Sequence, residues 1–168
     1  MSDPVPKSRR LREAIPAPAP DELPLLNDAE VYTRLRKQFY GQWKKRAAPF
    51  CFIGDGYYVS PTTALIAAAV RATLENKPRY VTELYDCDDF AWRLKALMSE
   101  HALSTRQPAA YALGVIWRGP RARVGGHAYN WVITTDAGVR QLQMIEPQDG
   151  TFRAFDRTVD VEIDLVCG

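Results

Sequence analysis

The spacing of apolar residues changes after about residue 101, and this change limits the folds open to the chain. Before that point the apolar residues recur at helical spacing, which predicts helices over about 29–47, 61–75 and 88–101. Beyond it, segments rich in β-branched and aromatic residues alternate with short turns and predict strands over 111–117, 127–135, 139–146, 151–155 and 159–166. Helices followed by antiparallel strands predict an α+β domain.

The third predicted helix carries the most unusual local sequence. Its apolar residues fall on one face and predict core packing: Phe90, Ala91, Leu94, Leu97 and Met98. That phase places Cys87 at the N-terminus of the helix, with Asp88 and Asp89 in the first turn. Helix N-termini lower the pKa of a thiol, whereas two adjacent acids oppose thiolate formation. The acids are therefore expected either to cap the helix or to hold a hard cation.

The N-terminal segment has a different composition. Residues 1–24 hold six of the twelve prolines, a content that disfavours helices and strand ladders. The sequence predicts a disordered proline-rich tail over residues 1–25 and a single folded domain over residues 26–168. The tail is accordingly expected to be dispensable for folding.

Bulk properties exclude several classes of protein. The net charge of +2 is too small to indicate nucleic-acid binding. No apolar run reaches the roughly 20 residues of a membrane helix, and the N-terminus carries no hydrophobic block, so a cytoplasmic protein without a membrane partner is expected. The three cysteines are spaced unlike a zinc site and cannot all pair with one another, and Cys51 lies in an apolar run.

Cysteine, histidine and glutamate occur in the order that a thiol nucleophile with a base and an orienting acid requires. Cys87 is followed by His127 in Gly125-Gly126-His127-Ala128-Tyr129-Asn130, and then by Glu146 in Ile145-Glu146-Pro147-Gln148. In such a site the thiolate attacks, the imidazole moves the proton and the carboxylate fixes the imidazole tautomer.

A turn at Asp136-Ala137-Gly138 predicts that the last two of these residues meet. If the flanking strands form a regular hairpin, residues whose numbers sum to about 274 face each other. His127 then lies opposite residue 147, beside Glu146, and a bulge can absorb an error of one residue.

The islands Cys87-Asp88-Asp89-Phe90-Ala91, Gly126-His127-Ala128-Tyr129-Asn130 and Ile145-Glu146-Pro147-Gln148 resemble the C-terminal domain of the Marasmius oreades agglutinin family. The resemblance covers roughly residues 28–155. It implies a papain-like, calcium-dependent cysteine peptidase, a hydrolase of the thiol protease type acting on a protein or peptide. It assigns Cys87 as nucleophile, His127 as base and Glu146 as orienter, with Asp88, Asp89 and Gln148 as calcium ligands.

Two alternatives remain open at this point. Asp86-Cys87 followed by Phe90 also resembles the NlpC/P60 cell-wall peptidases, although the usual small residues after the cysteine are missing. A non-catalytic structural or interaction protein on the same fold is the other alternative. The sequence does not determine the oligomeric state.

Overall fold

The computed structural model describes residues 14–18, 23–43, 50–75, 77–81, 85–119, 126–156, 158–160 and 163–168, apart from the side chains of residues 40–43 and 50. Within these ranges the helices are α1 (Asp28–Trp43), α2 (Thr63–Glu75) and α3 (Cys87–Ser104). The strands are β1 (Leu25–Asn27), β2 (Phe50–Phe52), β3 (Tyr57–Val59), β4 (Ala110–Tyr111), β5 (Leu113–Arg118), β6 (His127–Asp136), β7 (Val139–Glu146), β8 (Thr151–Arg153) and β9 (Ile163–Cys167).

Two sheets form in the described residues. The larger has six strands in the order β2-β9-β5-β6-β7-β8, and the smaller has three in the order β1-β3-β4. Neither is wholly antiparallel, because β2 runs parallel to β9 and β3 runs parallel to β4. The predicted papain-like fold on an antiparallel sheet is therefore wrong about the sheet: early segments of the chain return to pair with late ones, which local patterns do not encode.

Strand β6 forms the centre of the larger sheet and is covered on both faces. Val132 packs in the apolar cluster that contains α2 and α3, whereas Trp131 and Ile133 pack in the cluster that contains α1. Residues 128–134 are all buried as a result, and the strand shows no alternation of apolar and polar side chains. This layering fixes β6 rigidly, so side chains at its two ends are held in defined positions.

Helix α3 begins at Cys87, as its apolar phase predicts, and runs three residues beyond the predicted end. Its start is fixed by a capping box, in which the Asp89 carboxylate accepts a hydrogen bond from the backbone N–H of Asp86 at 3.1 Å. The predicted stripe is buried in full and packs on the sheet at β5 and β6. The thiol is thereby held at the edge of the central strands.

The β6–β7 hairpin forms at the predicted turn. Ala137 and Gly138 have φ of 48° and 79°, the positive values of a type I′ turn that suits the twist of the flanking strands. The paired residues sum to 275, as in Asn130 with Ile145 and Asp136 with Val139, one more than the predicted 274. Despite this difference of one residue, Glu146 still lies beside His127.

The described part of the N-terminal segment lies against the body of the protein. Ile15 is 4% exposed and shares an apolar cluster with Leu23 and the inner faces of α2 and α3. The Gln107 side-chain amide donates to the Pro18 carbonyl at 3.2 Å. The predicted domain boundary at residue 26 stays a prediction, and residues 1–13 and 19–22 of the predicted tail lie outside the described residues.

Among the described residues, no helix is both long enough and apolar enough to cross a membrane.

Candidate functional site

The thiol of Cys87 is half-buried at the start of α3. Its sulfur accepts a hydrogen bond from the backbone N–H of Ala128 in β6, at 3.4 Å. The cysteine packs against a small apolar cluster of Ala91, Val115 and Ala128, and Trp117 lies in the same cluster. The sulfur is thus fixed between the helix end and the first residues of β6.

The electrostatic surroundings of this thiol differ from the sequence expectation. Burial is the largest cause of a raised pKa at Cys87; the hydrogen bond from the Ala128 N–H lowers the pKa, and the negative charges of Asp86 and Asp88 add smaller increases. Asp89 was expected to oppose the thiolate, but its carboxylate points back to the helix cap. The thiol is therefore kept protonated at neutral pH.

His127 and Glu146 form a short, direct pair. The imidazole Nε2 lies 2.5 Å from Glu146 Oε2, and the other carboxylate oxygen accepts the backbone N–H of Gln148 at 3.2 Å. Both side chains are about one-quarter exposed. The structure thus brings together the two residues that the hairpin register predicts to meet. Gly125 of the predicted Gly-Gly turn lies outside the described residues.

A second layer of side chains, behind His127, supports its ring. The ring of His127 stacks on Tyr129, two residues along β6, with centroids 5.9 Å apart. The Tyr129 hydroxyl donates to the fully buried Asp160 at 2.7 Å, and Arg153 donates to both oxygens of Asp160 at 2.6 Å. No local sequence pattern predicts this layer, because Asp160 lies 31 residues from Tyr129 along the chain.

One of the predicted cation ligands, Asp88, lies beside a second acid, Asp86. Asp88 shares a hydrogen bond with Asp86, which is the largest cause of its raised pKa, and these two acids lie with the Cys87 sulfur within 4.8 Å of one another. Asp89 is engaged in the helix cap, and the backbone carbonyl of Gln148 accepts a hydrogen bond from Lys77 at 2.7 Å. Asp86 is not among the predicted ligands, but its carboxylate lies close to that of Asp88, and the calcium site stays a prediction.

Two tryptophans form an aromatic surface beside the thiol. Trp92 lies on α3 and is 44% exposed, and its ring lies 5.6 Å from that of Trp117 on β5. Trp117 pairs with Ala128 in the β5–β6 ladder, next to His127. No local sequence pattern joins these tryptophans, since they meet only when α3 packs on the sheet.

Comparison with known families identifies the chain over more than half its length. The Agglutinin C-terminal family matches residues 58–152, a span that includes α3, the β6–β7 hairpin and all three predicted site residues. The chain belongs to the Agglutinin C-terminal family. Among curated proteins, none matches it.

Solved structures share the fold. A structure of the PSL1a–E64 complex matches with a TM-score of 0.68 and 23% identity, over 86% of this chain and 50% of that one. A structure of Polyporus squamosus lectin bound to Neu5Aca2-6Galb1-4GlcNAc, a human-type influenza-binding epitope, matches with a TM-score of 0.64 and 22% identity, over 86% and 49%. The chain therefore spans about half the length of each of these proteins.

These findings overturn the predicted papain-like fold and the predicted cysteine peptidase function. The matching family is an agglutinin family, and a solved structure with the same fold is that of a lectin. The predicted hydrolase and thiol protease assignments are wrong on the same findings, as is the NlpC/P60 alternative.

Proposed function

We propose that this chain is the carbohydrate-binding part of an agglutinin-type protein, with a glycan as its partner in place of the predicted protein or peptide substrate. The proposal is supported by membership of the Agglutinin C-terminal family and by the fold shared with Polyporus squamosus lectin. The chain spans about half of that lectin, so the lectin's own ligand cannot be assigned to this chain. We infer the kind of glycan from the residues of this chain instead.

The observation that carries the proposal is the Trp92–Trp117 pair. Aromatic rings at a protein surface offer a flat apolar contact, and ligand sites combine such rings with a few placed polar groups. A sugar ring has an apolar face of C–H groups and a polar edge of hydroxyls. Trp92, being 44% exposed, can stack against that face.

Polar groups at the start of β6 and the end of β7 can form hydrogen bonds with the hydroxyl edge of a sugar ring. His127 and Glu146 are each about one-quarter exposed, and they are fixed by their own hydrogen bond and by the ring of Tyr129. Fixed donors and acceptors lose little conformational freedom on binding, which favours recognition of a neutral saccharide.

Glycan binding by a Trp92→Ala variant tests the proposal. We expect the unmodified protein to bind members of a glycan array and the variant to bind them about tenfold more weakly, as for loss of an aromatic anchor. Tyr57→Ala is the matched control, because Tyr57 is 64% exposed and lies in the smaller sheet. Failure of the full chain to bind any glycan, or equal binding by both variants, would refute the proposal.

A second candidate function is covalent capture of an electrophilic ligand by Cys87, favoured by the hydrogen bond from Ala128 N–H to its sulfur. PSL1a, which shares the fold, has been solved as a complex with E64. E64 is an epoxide, so capture forms a bond from sulfur to an epoxide carbon and breaks the carbon–oxygen bond. His127 accepts the thiol proton and then donates it to the oxygen of the opened epoxide, which becomes a hydroxyl group. In this proposal Cys87 is the nucleophile, His127 the base and Glu146 its orienter.

Intact-mass measurement after incubation with E64 tests this second candidate. We expect one adduct per chain, located on Cys87, and none on Cys51, whose pKa is raised to about 11 by burial and by Cys167. Glu146→Gln is expected to slow the reaction, because the amide no longer supports an imidazolium. Modification of Cys51 in preference to Cys87 would contradict the assignment.

The predicted calcium ion is also carried forward as a proposal. Asp88 and Asp86 would supply its first oxygen ligands, and the ion would cancel the charge that crowds the thiol. Calorimetric titration with calcium chloride is the measurement, with Asp88→Asn as the variant and Asp55→Asn as the exposed control. Equal heats of calcium binding for the two variants would contradict the site and would assign Asp86 and Asp88 a role only in the start of the helix.

A further inference from the structure

The imidazole of His127 lies on the side of the larger sheet that faces α1. Its ring stacks on Tyr129, two residues along β6, and alternate residues of a strand point to the same side. Tyr129 packs in the apolar cluster that contains α1, whereas Ala128 packs with Cys87 in the cluster on the α3 side. The thiol and the imidazole therefore approach the start of β6 from opposite faces of the sheet.

The ring of Tyr129 is anchored by a buried charged pair. Its hydroxyl donates to Asp160 at 2.7 Å, and two guanidinium nitrogens of Arg153 donate to the same carboxylate at 2.6 Å. The backbone N–H of Asp156 adds a fourth hydrogen bond at 2.7 Å. Asp160 is fully buried, and the guanidinium carbon of Arg153 lies 5.2 Å from the centre of the tyrosine ring. The tyrosine ring is thus fixed at its hydroxyl end.

Packing alone does not require this anchor. A phenylalanine ring at position 129 would stack on His127 and would leave no charge to bury. Burial of an ion pair is costly, and its replacement by apolar residues is often neutral or stabilising. A network whose members are all hydrogen-bonded instead favours one arrangement of its side chains. The anchor therefore points to a role in orientation.

A second tyrosine–histidine pair in the chain provides a comparison. The rings of His101 and Tyr111 lie 5.9 Å apart at 30°, against 5.9 Å and 27° for His127 and Tyr129. In the first pair the Tyr111 hydroxyl contacts the histidine itself, 3.1 Å from Nδ1, and both residues are buried. The Tyr129 hydroxyl bonds Asp160 instead, so the ring nitrogens of its histidine are left for other partners.

The two ring nitrogens of His127 take different roles. Nε2 lies 2.5 Å from Glu146 Oε2, and because an ionised carboxylate only accepts hydrogen bonds, Nε2 donates. Nδ1 is then the acceptor of the neutral ring. The backbone N–H of the next residue, Ala128, donates to the Cys87 sulfur, which places the thiol beside the start of β6. Nδ1 is therefore the atom that can accept the thiol proton.

We propose that Tyr129 is a positioning residue for His127, and that Asp160 and Arg153 act through it. The stack holds the imidazole in the plane that keeps Nε2 on its carboxylate partner and presents Nδ1 to the thiol proton. This role rests on the proposed capture of an electrophile by Cys87. It deepens that proposal by assigning the orientation of the base to a layer of residues behind the histidine.

The rate of E64 labelling, measured over a range of E64 concentrations, tests this role because it separates binding from the chemical step. Tyr129→Phe keeps the ring and loses the anchor, so the chemical step should slow about tenfold while the affinity for E64 is unchanged. Tyr129→Leu keeps apolar bulk but removes the flat ring, and a fall of up to about a hundredfold is expected. Unchanged rates in both variants would overturn the positioning role.

Tyr111→Phe is the matched control. It also removes a buried tyrosine hydroxyl beside a histidine, but in the core cluster that contains α2 and α3. We expect it to lower the melting temperature about as much as Tyr129→Phe does and to leave the labelling rate unchanged. If the two variants lose labelling rate equally, the effect is one of general stability and the proposal is wrong.

Variants of Arg153 carry the test if the tyrosine variants fail to fold. The Arg153 side chain is 31% exposed, so its replacement disturbs the core less. Arg153→Gln removes the charge that is paired with Asp160 and should slow the chemical step. Arg153→Lys keeps that charge and one hydrogen bond, and it should restore most of the rate. Labelling by both variants at the rate of the unmodified chain would overturn the proposal.

Proton NMR of the imidazole keeps the outcome separable from that of the proposed capture. The Nε2 proton between His127 and Glu146 should resonate at low field in the unmodified chain and in Tyr111→Phe, and it should shift or broaden in Tyr129→Leu. If the unmodified chain forms no E64 adduct but this signal depends on Tyr129, the capture fails and the positioning role is upheld. If E64 labels the chain and neither the rate nor the signal responds to Tyr129, only the positioning role is overturned.

Discussion

The two ends of strand β6 differ in electrostatic character. At the thiol end, His127 is paired with Glu146 and Arg153 with Asp160, while Asp86 and Asp88 crowd the Cys87 sulfur. At the other end, Arg34 and Arg140 line a cavity beside the β6–β7 turn, both contact Glu30, and Asp136 adds a second carboxylate. One strand thus has an end where acids crowd a thiol and an end where arginines and carboxylates balance.

The largest expected effect is at the support of the thiol end. Asp160→Ala should lower the free energy of unfolding by about 3 kcal/mol, because it leaves Arg153 and the Tyr129 hydroxyl without their buried acceptor. Urea denaturation measures the change. Asp55→Ala, at an exposed aspartate, should change stability by no more than about 0.5 kcal/mol. Similar values for the two variants would show that the thiol end does not depend on this layer.

A somewhat smaller effect is expected at the N-terminal segment. Ile15→Ala should cost about 2 kcal/mol through a cavity in the core, in contrast to the expectation that this segment is dispensable. Ile15 shares a cluster with Leu23, away from the thiol, so E64 labelling should be unaffected in the folded variant. Thermal denaturation measures the first effect, and Ala17→Ser, at an exposed neighbour, is the control. If Ile15→Ala loses no stability, the segment is dispensable for folding, as the sequence predicts.

A kinetic effect of a few-fold is expected from the acids beside the thiol. Burial and Asp86 and Asp88 raise the pKa of Cys87, so its labelling rate should keep rising with pH beyond the range of a free thiol. Asp88→Asn removes one of these charges and should speed labelling at neutral pH. Asp89→Asn should not speed it, since that carboxylate caps the helix and its loss costs about 1 kcal/mol of stability instead. Equal rates for the two variants would contradict this division.

The smallest expected effect concerns the other histidine. His101 is buried against the Tyr111 hydroxyl at 3.1 Å, and desolvation lowers its pKa, whereas His127 has a carboxylate partner. A lowered pKa means that the fold favours the neutral ring, so its contribution to stability is complete above about pH 6.5 and is lost as the pH falls towards the folded-state pKa. Denaturation of His101→Gln across this range should show a flatter pH dependence than the unmodified chain. An unchanged pH dependence would assign the loss of stability to other groups.

Much of the local structure is predictable because it depends on neighbours in sequence. The start of α3 follows from the apolar phase of Phe90 to Met98, and the β6–β7 turn follows from Ala137-Gly138. The proximity of His127 and Glu146 follows from that turn, to within one residue of register. The different roles of Asp88 and Asp89 cannot be predicted from the sequence, because they depend on which carboxylate accepts the hydrogen bond from the backbone N–H of Asp86.

The sequence by itself determined the helices, the hairpin and the meeting of His127 with Glu146, since periodicity and turn chemistry act over a few residues. Only the tertiary structure decided the parallel strand pairs, the Trp92–Trp117 surface, the burial of Ile15 and the cavity lined by Arg34 and Arg140. These features join segments separated by tens of residues along the chain. Their free energy comes from burial and charge in the packed molecule, which no local pattern records.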